Sequence, residues 1–446
     1  SGGALAPTGM ADLWAEGTRT TATLAIPIVG TGGIVKIGAG TIVLAADNSY
    51  TGGTVIKAGT LQLGNGGTSG WILGDVLNNG VLAFDRSDDV TFAGVVSGTG
   101  ALAKIGDGSL TLTGANAYTG GTTIGAGTLQ IGDGGTSGSI AGDVVNNGVL
   151  AIDLSTTLTL DGAISGNGAL QQNGTGTTIL TGASTYTGST TVSSGALIVN
   201  GSIGASSLLT VDAGSLIGGT GTLPATMING GTLAPGNSIG TISVQGNLAL
   251  SSAATQQIEV SATAADRTDV SGTATLGGTV QVAATPDDYG LHASYIILHA
   301  DGGVNGAETL SATVNSVFLD PTLSFDANNV FLNLTQLPFN SMAWTPNQRA
   351  VADALQVSGT RSALGAAVFN QITGAGARQA FDALSGEVHA SAAGVMLDES
   401  RYLRDAVLGR ARQAYGDISG PLAALAPEVA AVTFAPAAPQ GSAALG

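Results

Sequence analysis

Three tyrosines, Tyr50, Tyr118 and Tyr186, each stand in an S/A/T-Y-T-G motif at equal intervals: 118 − 50 = 68 and 186 − 118 = 68. The offset carries far more than the tyrosines. NSYTGGTVIKAGTLQLG from Asn48 is answered by NAYTGGTTIGAGTLQIG from Asn116, and GDVLNNGVLAFD from Gly74 by GDVVNNGVLAID from Gly142. GTGGIVKIGAGTIVL from Gly30 is likewise answered by GTGALAKIGDGSLTL from Gly98. A fixed internal period of this kind points to units that bury their apolar faces only against one another.

Within each unit apolar and small polar residues alternate, as in Thr60-Leu61-Gln62-Leu63, Val81-Leu82-Ala83-Phe84 and Leu110-Thr111-Leu112-Thr113. A period of two means strands with one buried face. The strands are short, punctuated by Gly-Gly, Asn-Gly, Asp-Gly and Ser-Gly pairs, and no helical period occurs before about residue 345. The 71 glycines and a 4% aromatic content leave Val, Ile, Leu and Ala to build the core of this 43% hydrophobic chain. Sandwich, propeller and solenoid all use short strands. Propeller blades usually repeat every ~40–50 residues with WD or kelch signatures, which are absent. A 68-residue unit divides into three coils of about 22 to 23 residues, a solenoid scale. Stacked parallel coils would place Leu61 and Leu63 in an internal ladder, with the Asn pairs 78/79 and 146/147 at corners bonding to neighbouring turns. The expected fold is an all-β solenoid, a right-handed parallel β-helix. Some fifteen coils at ~4.8 Å each would rise about 70 Å.

These repeats, with the G-x-L-x-K-x-G-x-G-T/S-L/I-x-L segments before them, resemble the passenger-associated repeat of Gram-negative autotransporters. NGGTLAPGNSIGTISVQGNL from Asn229 resembles the junction segment of such passengers, and DYGLHASYIILHADGGVNG the membrane-proximal end of their β-helix. FDALSGEVHASAAGVMLDESRYLRDAVLGRARQ from Phe381 resembles the helical linker that precedes the translocating barrel. The third repeat departs from the pattern: Gln172 replaces Lys36 and Lys104, and the motif decays after Val192. The resemblance implies five regions. Residues 1–27 are the N-terminal edge of a longer passenger, 28–200 the repeat β-helix, and 201–338 the C-terminal β-helix with its junction or capping region. Residues 339–416 are an α-helical linker, and 417–446 an Ala/Pro-rich flexible tether toward an absent barrel.

The formal net charge of −17 would repel nucleic acid over most of the surface. Lysine occurs only at 36, 57 and 104, whereas seven of the thirteen basic residues are arginines between Arg349 and Arg412. The absence of cysteine excludes disulfides and thiolate metal sites. No charged n-region with an apolar h-region opens the sequence, and no apolar run could span a bilayer as a helix. The chain therefore reads as soluble, or as a fragment whose targeting and membrane parts lie elsewhere.

The period changes near the C-terminal end. Thr345-Pro346-Asn347-Gln348 has capping-box spacing with proline at the first helical position, predicting a helix that buries Ala350, Val351, Ala354 and Leu355. Further helices are expected over about 361–372, 375–384 and 386–414. Arg401, Arg404, Arg410 and Arg412 read as a solvated face paired with Asp398, Glu399 and Asp405, or alternatively as facing a barrel interior.

Reactive constellations are sparse. Gly236-Asn237-Ser238-Ile239-Gly240 matches the nucleophile-elbow pattern, but no helix is predicted after Ser238, so a turn between coils is expected. His292 and His299 flank a strand, and seven residues between them would put them on opposite faces; His389 is the third imidazole. Asp85, Asp88 and Asp89 suggest calcium, yet only the first recurs one period later, as Asp153, so loop solvation is expected. GNGGTSG at Gly64 and GDGGTSG at Gly132 lack the following Lys-Ser/Thr and helix of a phosphate cradle and read as turns. The three tyrosines could make an exposed contact stripe, with stacked aromatics supporting a corner the favoured alternative.

No catalytic residue, cofactor or metal ligand is assigned. The expectation is a non-enzymatic passenger stalk at the bacterial surface or secreted. Its full-length form would be anchored in the outer membrane by a translocator β-barrel, displaying upstream sequence and assisting outward folding. Alternatives are an adhesin or self-association module, or a carrier of an upstream enzyme such as a protease.

Overall fold

A computed structural model describes residues 3–290 and 292–415, apart from the side chains of 387–392, 409 and 411–415. The 417–446 tether and the His389 and Arg412 side chains thus lie outside the described residues. The chain forms a parallel β-solenoid of about 14 turns followed by a few helices. Five sheets make up three faces. The first face begins with Ala11–Trp14 and Ile34–Ile37, the second with Thr21–Leu24 and Thr41–Leu44, and the third is one 11-stranded sheet from Val90–Phe92 to Val304–Asn305.

Alternation produces the predicted ladders. Ile42, Leu61, Leu82 and Leu102 pair in register on consecutive strands of the second face, as do Leu44, Leu63, Phe84 and Lys104 beside them. Leu61, Leu63, Leu82 and Leu102 are fully buried. Each such side chain contributes ~1.5–3 kcal/mol of burial, spread along the stack rather than gathered in one centre.

Coil length is where the sequence expectation fails. Register runs Thr41 to Thr60 to Val81 to Ala101, so three coils take 101 − 41 = 60 residues, about 20 each, rather than 68. The remaining eight residues carry the chain from Ala101–Lys104 on the second face to Ser109–Leu112 on the third. One repeat is therefore three and one-third coils, and every repeated feature moves one face around per period. Ile34–Ile37, Ala101–Lys104 and Ala169–Gln172, equivalent in sequence, lie on the first, second and third faces. The period alone could not reveal this, because the three faces use the same small-turn chemistry.

The repeated motif is spent inside the stack. Asn48 Oδ1 accepts from Ile28 N one coil back at 2.9 Å, while its Nδ2 donates to Ala46 O at 2.7 Å and Trp71 O at 2.8 Å. Asn116 repeats the clamp with Val96, Gly114 and Ser139. Tyr50, Tyr118 and Tyr186 are fully buried, each hydroxyl 2.6 Å from the Thr Oγ1 four residues on. They are neither an exposed stripe nor an aromatic stack, since successive copies fall on different faces. Lys36 Nζ is buried against the carbonyls of Ile37, Gly38 and Ala58 at 2.7–3.0 Å, and burial pulls its pKa down. Lys104 caps the Gly106 and Ala126 carbonyls, and Gln172 caps Gly174 with an amide, so the Lys-to-Gln change conserves the turn. Gly127, at φ +63°, occupies a corner where a Cβ would run into the Gly108 carbonyl.

The Asn pairs sit at corners as expected. Asn78 donates to Ala101 O at 2.8 Å and accepts from Gly80 N at 3.1 Å, and Asn146 does the same with Ala169 and Gly148.

The C-terminal end is closed differently. Ala293–Ala300 pairs antiparallel with Asn329–Gln336, which pairs antiparallel with Leu319–Phe325. Three helices, α1 (Pro346–Ser358), α2 (Ala363–Phe369) and α3 (Gly374–Ser385), belong to the same compact unit as the solenoid. Phe318, Phe339, Phe369 and Phe381 join its core, with Phe318 edge-on to Phe339 at 4.9 Å. Ser316 Oγ donates to Phe369 O at 2.6 Å and Gln348 Nε2 to Asp382 Oδ1 at 2.8 Å. The Thr345 capping box forms. It turns Gln348 inward, so α1 buries Gln348, Ala352 and Leu355 at i, i+4 and i+7, whereas Ala350 and Ala354 are exposed and Val351 half-buried.

The second unit contains α4 (Glu387–Tyr415). Arg401, Arg404 and Arg410 are exposed on it and make no ion pair among the described residues, in contrast to the expected local pairs.

Candidate functional site

Parallel strands in register turn single outward residues into rows. On the second face, Thr222, Ser243, Asp269 and His299 are consecutive register partners, one rung apart. A second row, two residues further along each strand, holds Gln245, Ser271 and Asp301, which are exposed at the strand ends. Together they line a groove of about 510 Å³. Arg267 Nε donates to Asp269 Oδ1 at 2.6 Å. His299 Nδ1 lies 2.8 Å from Asn329 Oδ1 and its Nε2 3.2 Å from Asp301 Oδ1; these two contacts, Asn329 first, raise its pKa.

Ser243, Asp269 and His299 supply the side chains of a hydrolytic triad without its geometry. The Asp269 strand separates the serine from the imidazole by two rungs, ~9.6 Å. Both ring nitrogens are engaged elsewhere, so the contact between nucleophile and base that such chemistry needs is missing. What the rows offer is a grid of hydrogen-bonding groups.

His292 and His299 do not stand on opposite faces. A β-bulge between Ile296 and Leu298 leaves Ile297 and Leu298 both buried, which reverses the alternation and turns His299 outward like the exposed His292. Among the described residues no group of three or more His, Cys, Asp or Glu is placed to hold a metal ion.

Ser238 lies in a turn between Thr232–Pro235 and Thr241–Val244, so a strand follows it rather than the helix of an elbow. The chemistry there belongs to Asp266, which is 1% exposed and accepts from Gly240 N at 2.8 Å and Glu259 N at 2.7 Å. Burial pushes its pKa up to about 6.

The three acids near residue 88 are each engaged in the structure rather than merely solvated. Arg86, buried beneath its loop, donates to both Asp88 oxygens at 2.9 and 2.7 Å and to Thr68 O at 2.5 Å, holding the Asp88 carboxyl below its usual range. Asp85 accepts from Gln62 Nε2 at 3.0 Å and Asp89 from Ser109 N at 2.9 Å. The 132–138 segment is a glycine turn, whereas residues 64–67 prolong the strand Thr60–Gly67 through an irregularity in register before the chain turns; each stretch has positive φ at three glycines.

Sequence reasoning missed the rows, Asp266 and Arg86. Ser243 to Asp269 is 26 residues and Asp269 to His299 is 30, so lengthening coils erased any fixed offset. Arg86 has Leu154 as its repeat equivalent; that break in the pattern was the available signal.

The family described as passenger-associated-transport-repeat matches residues 34–63, 102–131 and 170–199. Each match holds two strands and their register partners one coil further on, on the same faces. The chain is also 38% identical over 171 residues, 34% of its length, to the Adhesin BmaC autotransporter of Brucella suis biovar 1 (strain 1330). The match spans 5% of that relative. Three such repeats, an autotransporter relative and a parallel β-solenoid fit a segment of an autotransporter passenger, the surface-exposed or secreted part of a protein anchored in the outer membrane.

Proposed function

We propose that this segment is the structural stalk of its passenger, non-enzymatic, displaying upstream sequence at the bacterial surface and assisting outward folding. The observation that carries this reading is where the repeated residues go. Asn48, Asn116, Lys36 and Lys104 bond to neighbouring coils, and Tyr50 is fully buried with its hydroxyl on Thr54, so the motif builds length. Because each repeat advances one face, no repeated surface stripe runs along the stack. Every coil offers its open edge to the next, so folding can propagate from one end and bias outward movement. The full-length protein would supply a translocator barrel; no described helix is long and apolar enough to cross a membrane.

Fusion to a translocator barrel, with an epitope before the first residue, tests this. Deleting 102–169 joins equivalent positions and should preserve epitope display, whereas Tyr118→Asp in the core should reduce it. Loss of display with the deletion, or none with Tyr118→Asp, contradicts the reading. A second reading, adhesion through the solenoid surface, draws on the Brucella relative's name. It predicts more cell clumping or host-cell attachment than a barrel-only control.

A further inference from the structure

We propose that the groove on the second face binds a neutral polysaccharide chain lying along the solenoid axis, across the strands. This goes beyond the stalk reading and stands or falls separately from it.

The argument begins with spacing. Ser243, Asp269 and His299 succeed one another by register, at ~4.8 Å per rung, close to the length of one pyranose unit. The second row of Gln245, Ser271 and Asp301 runs beside the first, ~6.6 Å away along the strands. An extended sugar chain laid on these rows would meet a fresh hydroxyl, amide, carboxylate or imidazole at each residue. Strand pairing holds the rows rigid, so little ordering entropy is lost on binding.

Charge selects the ligand class. Asp269 is matched by Arg267 at 2.6 Å, and Asp301 lies 3.2 Å from His299, which matches its charge only when the imidazole is protonated. The groove's two carboxylates would oppose a sulfated or carboxylated chain. Meanwhile its exposed acceptors and donors suit vicinal hydroxyls. No Phe, Tyr or Trp lines the groove, so recognition rests on hydrogen bonds along several sugar units rather than on stacking of one.

The site is also set apart from the rest of the stack. On one outward row of earlier coils of the second face stand Ala103, Thr123 and Val145, whereas this stretch carries ionisable and amide groups in consecutive rows.

The test uses the purified chain and titrates chitohexaose, cellohexaose and maltohexaose by calorimetry and saturation-transfer NMR. A heparin-derived hexasaccharide and spermine serve as the charged arms. At least one neutral hexasaccharide should bind. Ser271→Trp, which fills the groove from an exposed position, and the Gln245→Ala/Asp301→Ala pair should each weaken it by about tenfold or more. Thr123→Ala, exposed on an earlier coil, should leave binding unchanged, and circular dichroism checks that the variants fold. The inference is overturned if no neutral hexasaccharide binds, if heparin hexasaccharide or spermine binds more tightly, or if Ser271→Trp leaves affinity intact.

Discussion

Removing the Tyr118 hydroxyl should hurt the solenoid more than removing it together with its partner. Tyr118 is fully buried, its hydroxyl 2.6 Å from Thr122 Oγ1, itself 3% exposed. Tyr118→Phe leaves that threonine hydroxyl buried without its partner, at a cost of ~1–3 kcal/mol. Thr122→Val strands the phenol instead, with a similar cost of ~1–3 kcal/mol. The double variant replaces both by apolar groups of the same shape and should fall within ~1 kcal/mol of the parent, giving a coupling of ~1–3 kcal/mol. The third copy supplies an internal control. Thr190 also reaches Ser206 Oγ at 3.0 Å, so Tyr186→Phe should cost less than Tyr118→Phe. Local stability is best read by hydrogen exchange of the strands Thr122–Ile124 and Val144–Asn146, because a stack of coils need not unfold in one step. Additive costs, or equal losses at Tyr118 and Tyr186, would refute the reasoning.

Other consequences are equally direct. Gly127→Ala should destabilise by ~1–3 kcal/mol, because a left-handed conformation and a blocked Cβ combine at one corner; Gly125→Ala, with no neighbour nearer than 3.6 Å to its Cβ position, should cost less in the same denaturation assay. Asp266 holds its proton in the folded chain up to about pH 6, from an ordinary value of 3.8. The folded state then binds more protons than the unfolded chain, so the contribution is full below about pH 4 and is lost as pH rises through about 6. Asp266→Asn should flatten the slope of denaturation midpoint against pH across that window. Phe318→Ala should cost ~3–5 kcal/mol and speed exchange in α1–α3 before the repeats are touched.

How much was legible follows from what repeats. Leu61 and Leu63 announced the ladder because period-two alternation survives whatever the coil length. Thr345 and Gln348 announced the helix start, though not which side packs, since Gln348 bonds Asp382 across the cap. The one-third turn left over in each repeat was hidden because Ile34–Ile37 and Ala101–Lys104 have the same chemistry on different faces. The groove was hidden for the opposite reason. Asp269 and His299 become neighbours through coils of unequal length, and a bulge at Ile297 decides which way His299 points.

Coil length is the central structural claim, and the natural absence of cysteine makes it simple to test. Ala103 and Thr123 are register partners facing outward on adjacent coils, ~4.8 Å apart at the strand spacing, within disulfide reach. The Ala103→Cys/Thr123→Cys chain should oxidise readily when folded, and Ala103→Cys/Ala126→Cys, spaced for a coil of 23 residues, should not. Cross-linking of the second pair in place of the first would contradict a stack of about 20-residue coils in which each repeat steps to the next face.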